Sequence, residues 1–239
     1  MLSKNQIKLI TRLKQKKYRL QDGVFVAEGV KVINELLQSS LKLNHVFSTV
    51  PFNINANLET LVTETELKKI SFLTTPNKAL ALFEIPEIKS INLNTLIVAL
   101  DAVRDPGNLG TIIRLCDWFG IKELVCSEDT VDCYNPKVIQ ATMGSITRVN
   151  ISYVDLETFL KETNETVYGA FMDGDNVYKT TLPNKGVLVM GNEANGISNA
   201  IEQLVTKRVS IPRFGDLQAT ESLNVATATA ILLSEFKRN

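Results

Sequence analysis

Hydrophobic positions along the chain fall into two rhythms. Residues 3–17 carry Ile7, Ile10 and Leu13 at helical spacing, so the segment predicts a helix with one apolar face. The run GVFVAEG predicts a short strand ending at Gly29, followed by a helix bearing Val30, Ile33, Leu36 and Leu37. HVFST, a helix near 64–71 and ALALFEI extend the alternation, which suits a small α/β unit of about ninety residues. PEIKSINLNT, about 86–95, is polar, holds a proline and reads as a linker.

Beyond it, TLIVALD is a nearly unbroken apolar run, as expected of a parallel strand buried on both faces. There follow a helix from about Asn108, the strand ELVCS, a helix from Pro136, a strand near 149–152 and a helix near 155–162. The strands TVYGAFM and GVLVMG, a helix after Ile197, the strand RVSI and a last helix from about 222 complete the chain. This regular alternation predicts a mostly parallel α/β sheet. Two domains result, residues 1–94 and 95–239.

Composition changes this picture little. The 239 residues are 44% hydrophobic and 22% charged, values of an ordinary globular protein. Net charge is +0, so a nucleic-acid surface would have to come from local segregation. Such segregation exists at the start, where Lys4, Lys8, Arg12, Lys14, Lys16, Lys17 and Arg19 all precede the first acid, Asp22. The run is either a phosphate-binding face or a solvated helix face. Cys116, Cys126 and Cys133 have neither paired metal spacing nor an even count, and the single His45 is remote. No metal is expected, and reduced thiols point to the cytoplasm. No stretch has the length and apolarity of a membrane span, and the first residues read as part of the fold.

Candidate chemistry sits where strands end, because ligands of open α/β sheets bind outside the carboxyl ends of strands. In LDAVRDPGNLGTIIR, residues 100–114, a strand gives way to a turn with Pro106, Gly107 and Gly110 and then to a helix. Glycines there can turn sharply and offer N–H groups to an anion. Asn108 is a helix cap or a site residue, and Arg114 lies a turn and a half into the helix. The spacing is neither that of a phosphate-binding P-loop nor that of a dinucleotide fingerprint. In VLVMGNEANGIS, residues 187–198, Met190 and Gly191 lead from a buried strand to Glu193, a carboxylate that either caps or serves a site. In VSIPRFGDLQATESLNVATATAILLSEF, a strand ends at Ile211-Pro212 and a polar loop leads to a helix with Ala226, Ala228 and Ala230. Ser222 suits its N-cap, leaving Asn224 in the first turn to reach a ligand.

DPGNLGTIIR, GNEANGIS and IP…ESLNVATA, in that order, resemble the three motifs of the SpoU (TrmH-like) RNA ribose 2′-O-methyltransferases of the SPOUT superfamily. FVAEGVKVINELL and TTPNKALALFEIP are similar to that family's small RNA-binding domain of L30e type. The resemblance implies a trefoil-knotted α/β catalytic domain, against the general scarcity of knots. It also implies a homodimer pairing through helices that include the last one, and S-adenosylmethionine held by loop backbone around Met190, Gly191, Ile211, Leu223 and Asn224.

The reaction so implied is methyl transfer to a ribose 2′-hydroxyl of RNA. Ribosomal RNA is expected over transfer RNA, with no membrane partner. Asn108 would orient the ribose, Arg114 clamp the neighbouring phosphate, Glu193 order the site, and Ser222 and Asn224 hold cofactor and target. A guanidinium is a poor base, being charged at all ordinary pH values, which favours the clamp. The alternatives are a non-catalytic RNA-binding protein of the same fold and an α/β enzyme acting on a phosphorylated metabolite. Two departures from the family's pattern stand out: Gln140 stands in PKVIQATMG where an Arg is common, so an RNA contact is either missing or supplied by Arg148, and the loop from Pro212 to Glu221 is long.

Overall fold

The computed structural model describes residues 2–215 and 222–238. It divides into two compact units, one of residues 1–87 with 132–147, the other of 88–131 with 148–239.

The predicted first helix is two. α1 (Lys4–Arg12) is opened by a capping box, in which Ser3 and Gln6 satisfy each other's backbone N–H groups. α2 (Lys16–Asp22) follows a short turn and ends at Gly23. The break has a cause in Arg19, which is buried although it belongs to the basic run. Its guanidinium donates to the carbonyls of Leu13 and Lys14 at 2.7 and 2.9 Å, satisfying groups that the end of α1 leaves open. Its other side pairs with Asp132. Arg12 is likewise engaged, by both oxygens of Asp22. Two arginines of the basic run are therefore already paired with acids. Lys4, Lys8, Lys14, Lys16 and Lys17 are exposed.

β1 (Val24–Glu28), α3 (Val30–Leu37), β2 (Leu43–Ser48), β3 (Glu59–Leu61), α4 (Glu64–Ile70) and β4 (Ala79–Glu84) complete this part. The sheet order is β1-β4-β2-β3, antiparallel except for the β2–β3 pair. β3 escapes sequence reading because three residues are too few to show a period. Ile10, Leu13, Val26, Leu67, Ile70 and Leu80 pack together on one side of the sheet. Each fully buried Leu or Ile contributes roughly 1.5–3 kcal/mol.

The second unit begins with β5 (Leu96–Leu100), α5 (Pro106–Trp118) and β6 (Glu123–Ser127). α6 (Pro136–Thr142) then packs on β1 in the first unit, where Tyr134 also meets the ring of Phe25. β7 (Asn150–Val154), α7 (Leu156–Glu162), β8 (Val167–Asn176), β9 (Gly186–Met190), α8 (Asn199–Glu202), β10 (Lys207–Ser210) and α9 (Val225–Phe236) return to the second. Its six strands are all parallel in the order β10-β8-β9-β5-β6-β7. β5 and β9 are buried at every residue, as their unbroken apolar sequences predict. β8 runs four residues past the expected TVYGAFM, and its register against β10 jumps between Arg208 and Val209. Because all strands are parallel, the ends of β5, β9 and β10 lie on one edge.

Candidate active site

The turn after β5 is rigid for local reasons. Asp105 caps α5 by accepting the N–H of Asn108 at 2.8 Å, and Pro106 occupies the first helical turn. The cap is thus Asp105, and Asn108 is released from that duty. Ala102 holds a left-handed φ of 55°, a conformation that costs a residue with a Cβ about 1–2 kcal/mol. Its N–H donates to Ser127 Oγ at 2.8 Å and its carbonyl accepts from Asn192 Nδ2 at 2.5 Å.

The loop after β9 is closed on itself. Asn192 and Gly196 exchange backbone hydrogen bonds, and Asn192 Oδ1 accepts the N–H groups of Ala194 and Asn195. A Cβ on Gly191 would lie 2.2 Å from the carbonyl carbon of Gly196, so only glycine allows this approach. Asp101, buried at the end of β5, accepts the N–H of Ser198 at 2.7 Å and fastens the two loops together. Met190 points its side chain into the core, and its carbonyl accepts the N–H of Asp101 at 2.9 Å.

Across this frame runs one chain of side-chain hydrogen bonds. Asn224 Nδ2 donates to Asn108 Oδ1 at 2.8 Å, and Asn108 Nδ2 donates to Glu193 Oε1 at 2.8 Å. Residues 85 and 116 positions apart in sequence are so joined. Asn224 also caps α9, its Oδ1 accepting the N–H groups of Ala226 and Thr227. The expected cap, Ser222, is instead exposed in the approach to the helix. With both amide atoms of Asn108 engaged, its orientation is fixed and the Glu193 carboxylate accepts from it.

The remaining candidates stand around this chain of bonds. Arg114 is exposed on α5, six residues beyond Asn108 and so about 9 Å further along the axis. It makes no hydrogen bond or ion pair among the described residues, so its guanidinium is available to an anion. Ile211 is half-buried just after β10, while Leu223, directly before Asn224, is 48% exposed despite its apolar side chain. Glu221 and most of the long loop after Pro212 lie outside the described residues. Arg148 is paired with Asp117 at 2.8 Å. Asp101, Asn192 and Ser127 fasten these loops from outside the sequence candidates, and a carboxylate directly after a buried apolar run is the one sequence sign that marks Asp101.

Among the described residues no group of acids, cysteines and histidine can hold a metal, and no helix is long and apolar enough to cross a membrane. The site gathers the carboxamides of Asn108 and Asn224, the carboxylate of Glu193, and apolar side chains at the half-buried Ile211 and the exposed Leu223.

Comparison with known proteins agrees along the whole chain. Residues 95–234 match the SpoU rRNA Methylase family, and residues 4–81 match the MRM3-like substrate binding domain. The 23S rRNA (guanosine(2553)-2′-O)-methyltransferase RlmP of Bacillus subtilis is 31% identical, over 97% of this chain and 96% of that protein. A TrmH-family protein from Porphyromonas gingivalis superposes with a TM-score of 0.87 at 37% identity, covering 100% of this chain and 99% of that one. An AdoMet-bound rRNA methyltransferase from Sinorhizobium meliloti gives 0.85 at 29% identity, over 100% and 96%. The chain belongs to the SpoU rRNA methylase family.

Proposed function

We propose that this protein transfers a methyl group from S-adenosylmethionine to a ribose 2′-hydroxyl of ribosomal RNA. The observation that carries the proposal is the hydrogen-bonded chain Asn224–Asn108–Glu193, which links the three motif loops. The Sinorhizobium relative binds AdoMet, and RlmP acts on 23S rRNA. Ribosomal RNA is favoured because the similarity to RlmP extends through both domains. On this reading residues 1–94 bind the RNA substrate and 95–239 carry out the transfer.

S-adenosylmethionine supplies an electrophilic methyl group when bound. Gly191, Ile211 and Leu223 are the residues assigned to hold it, with the backbone of Met190 and the side chain of Asn224. The protein's part is alignment, since well-placed reactants gain roughly 7–11 kcal/mol in effective molarity. Asn108 orients the ribose, and Glu193 holds the Asn108 amide. Ser222, exposed beside Leu223, is assigned to the target side. Arg114 grips the phosphate next to the reacting hydroxyl, stabilising negative charge as it develops on oxygen, and that phosphate or water accepts the proton.

The same reading includes a trefoil knot and a homodimer. In support of the first, the segment after β10 comes back to the turn after β5. In support of the second, α9 packs on α5, whose last residue Trp118 is 84% exposed. Cys116, Cys126 and Cys133 are buried thiols, which suits a cytoplasmic setting.

The test is calorimetry of the full chain with S-adenosylmethionine, together with mapping of 2′-O-methylation in ribosomal RNA from cells with and without the protein. Binding and the loss of one methylated ribose are expected. No detectable binding would sink the proposal.

A further inference from the structure

In the first unit a cavity of about 270 Å³ opens between β1, the end of α4 and α6. That is slightly below the ~300 Å³ at which pockets begin to take whole drug-sized ligands, so it suits a single ring system. Val26, Phe72 and Pro136 form apolar walls, and Glu28, Lys137 and Gln140 bring polar groups. Nothing in the methyl-transfer site uses these residues.

Glu28 is the unusual member. It is only 6% exposed and, among the described residues, no ion pair holds it. Its two oxygens accept from Ser71 Oγ at 2.6 Å and from the Phe72 N–H at 2.7 Å. A carboxylate oxygen has two lone pairs, so each retains acceptor capacity. Burial pushes its carboxyl above the usual range, against the pull of those two hydrogen bonds and of Lys14. Gln140, half-buried on α6, makes no hydrogen bond among the described residues. The cavity lining thus includes a carboxylate with acceptor capacity to spare and a carboxamide with no hydrogen bond among the described residues.

We infer that this cavity is a subsite for one unpaired guanine of the RNA, read at its Watson–Crick edge by Glu28 and Gln140. This rests on the reading of the protein as an RNA methyltransferase. Guanine fits because its N1–H and N2–H₂ are adjacent donors that can engage a carboxylate as a pair, while its O6 accepts from the Gln140 amide. Adenine and cytosine each offer one exocyclic amine beside an acceptor, and uracil one N–H between two carbonyls. A cationic side chain would match the carboxylate too, but Lys137 at the cavity and Lys14 near Glu28 repel it. The same lysines favour the phosphates that accompany a base. Single-stranded RNA is commonly recognised by splaying out such bases into pockets with flat apolar walls.

The test is fluorescence anisotropy of the full chain with a labelled 12-nucleotide oligouridylate carrying one central guanosine, adenosine or inosine, the last lacking the 2-amino group. Guanosine should bind about tenfold more tightly than adenosine, within the range a two-point base contact gives, with inosine between them. In Glu28→Gln the new side chain can accept from the Phe72 N–H and donate to Ser71 Oγ. The fold should survive, which a melting curve checks, but a donor replaces one acceptor facing guanine. The guanosine preference should fall at least fivefold while binding of plain oligouridylate stays unchanged. Gln140→Leu, which breaks no internal hydrogen bond, should weaken the preference to a lesser degree. Equal binding of all three oligomers, or a preference untouched by Glu28→Gln, overturns the subsite. S-adenosylmethionine binding measured on the same samples keeps the two readings distinct: cofactor bound without guanine preference removes the subsite alone, and no cofactor binding removes the methyltransferase reading.

Discussion

At the scale of single residues, the site depends on groups that have no freedom left. Asn108 uses both ends of its amide, so replacement has predictable consequences. Asn108→Ala should lower kcat by one to two orders of magnitude, with cofactor affinity within about threefold, because misplacement of about 1 Å costs on the order of 10²-fold. Asn108→Asp should be at least as damaging at neutral pH, since a carboxylate cannot donate to Glu193 and repels it. Steady-state kinetics with calorimetry of cofactor binding checks both. Gly191→Ala meets backbone rather than a flexible side chain, so the loop itself must shift. Cofactor affinity should fall at least tenfold while the far-ultraviolet circular dichroism spectrum is kept. An alanine variant with normal affinity would show that this loop does not touch the cofactor. Much of this was legible in sequence as residue type: Asn108, Glu193 and Asn224 stood out at strand ends. Their mutual hydrogen bonds were not legible, because pairings between residues 85 and 116 positions apart leave no local pattern.

At the scale of elements, periodicity located nearly every helix and strand, since buried parallel strands such as β5 and β9 are apolar throughout. The ends were set by chemistry that a pattern cannot rank. Asp105 and Asn108 are both good caps, as are Ser222 and Asn224, and the structure uses Asp105 and Asn224. The N-terminal helix divides because Arg19 folds back onto the carbonyls of Leu13 and Lys14, a tertiary event. The double duty of Asn224 allows its two roles to be separated. Asn224→Ala removes a cap and should cost about 0.5–2 kcal/mol in denaturant unfolding. Asn224→Asp keeps the capping oxygen and loses the donor to Asn108, so stability should return while turnover stays depressed. Recovery of turnover along with stability would mean that only the cap matters.

At the scale of the molecule, balanced net charge conceals an uneven distribution, and the N-terminal helices illustrate how far sequence alone can sort it. Seven basic residues precede the first acid, but two of them are already paired with acids, Arg12 with Asp22 and the buried Arg19 with Asp132. Neutralising Lys4, Lys8 and Lys17 should weaken RNA binding and flatten its salt dependence by about 0.7 per lost phosphate contact on single strands, with little change in stability. Arg19→Ala should act the other way. Removing one partner of a buried pair leaves Asp132 uncompensated and should cost about 3–5 kcal/mol, read by denaturant unfolding, before any effect on RNA. If the lysine variants keep the salt slope of the native chain, the RNA path runs elsewhere.

The return of residues 132–147 to the first unit bears on how such a protein can be inherited and cut. Arg19 finds Asp132, Phe25 finds Tyr134, and α6 covers β1 only after the first strands of the second unit have been made. A gene fragment ending at the polar linker would encode a unit stripped of one wall and with an orphaned arginine inside. The two halves are therefore not interchangeable beads on a string. Recombination at that linker would carry a wound with it, and a ribosome must translate past residue 147 before even the amino-terminal unit can close.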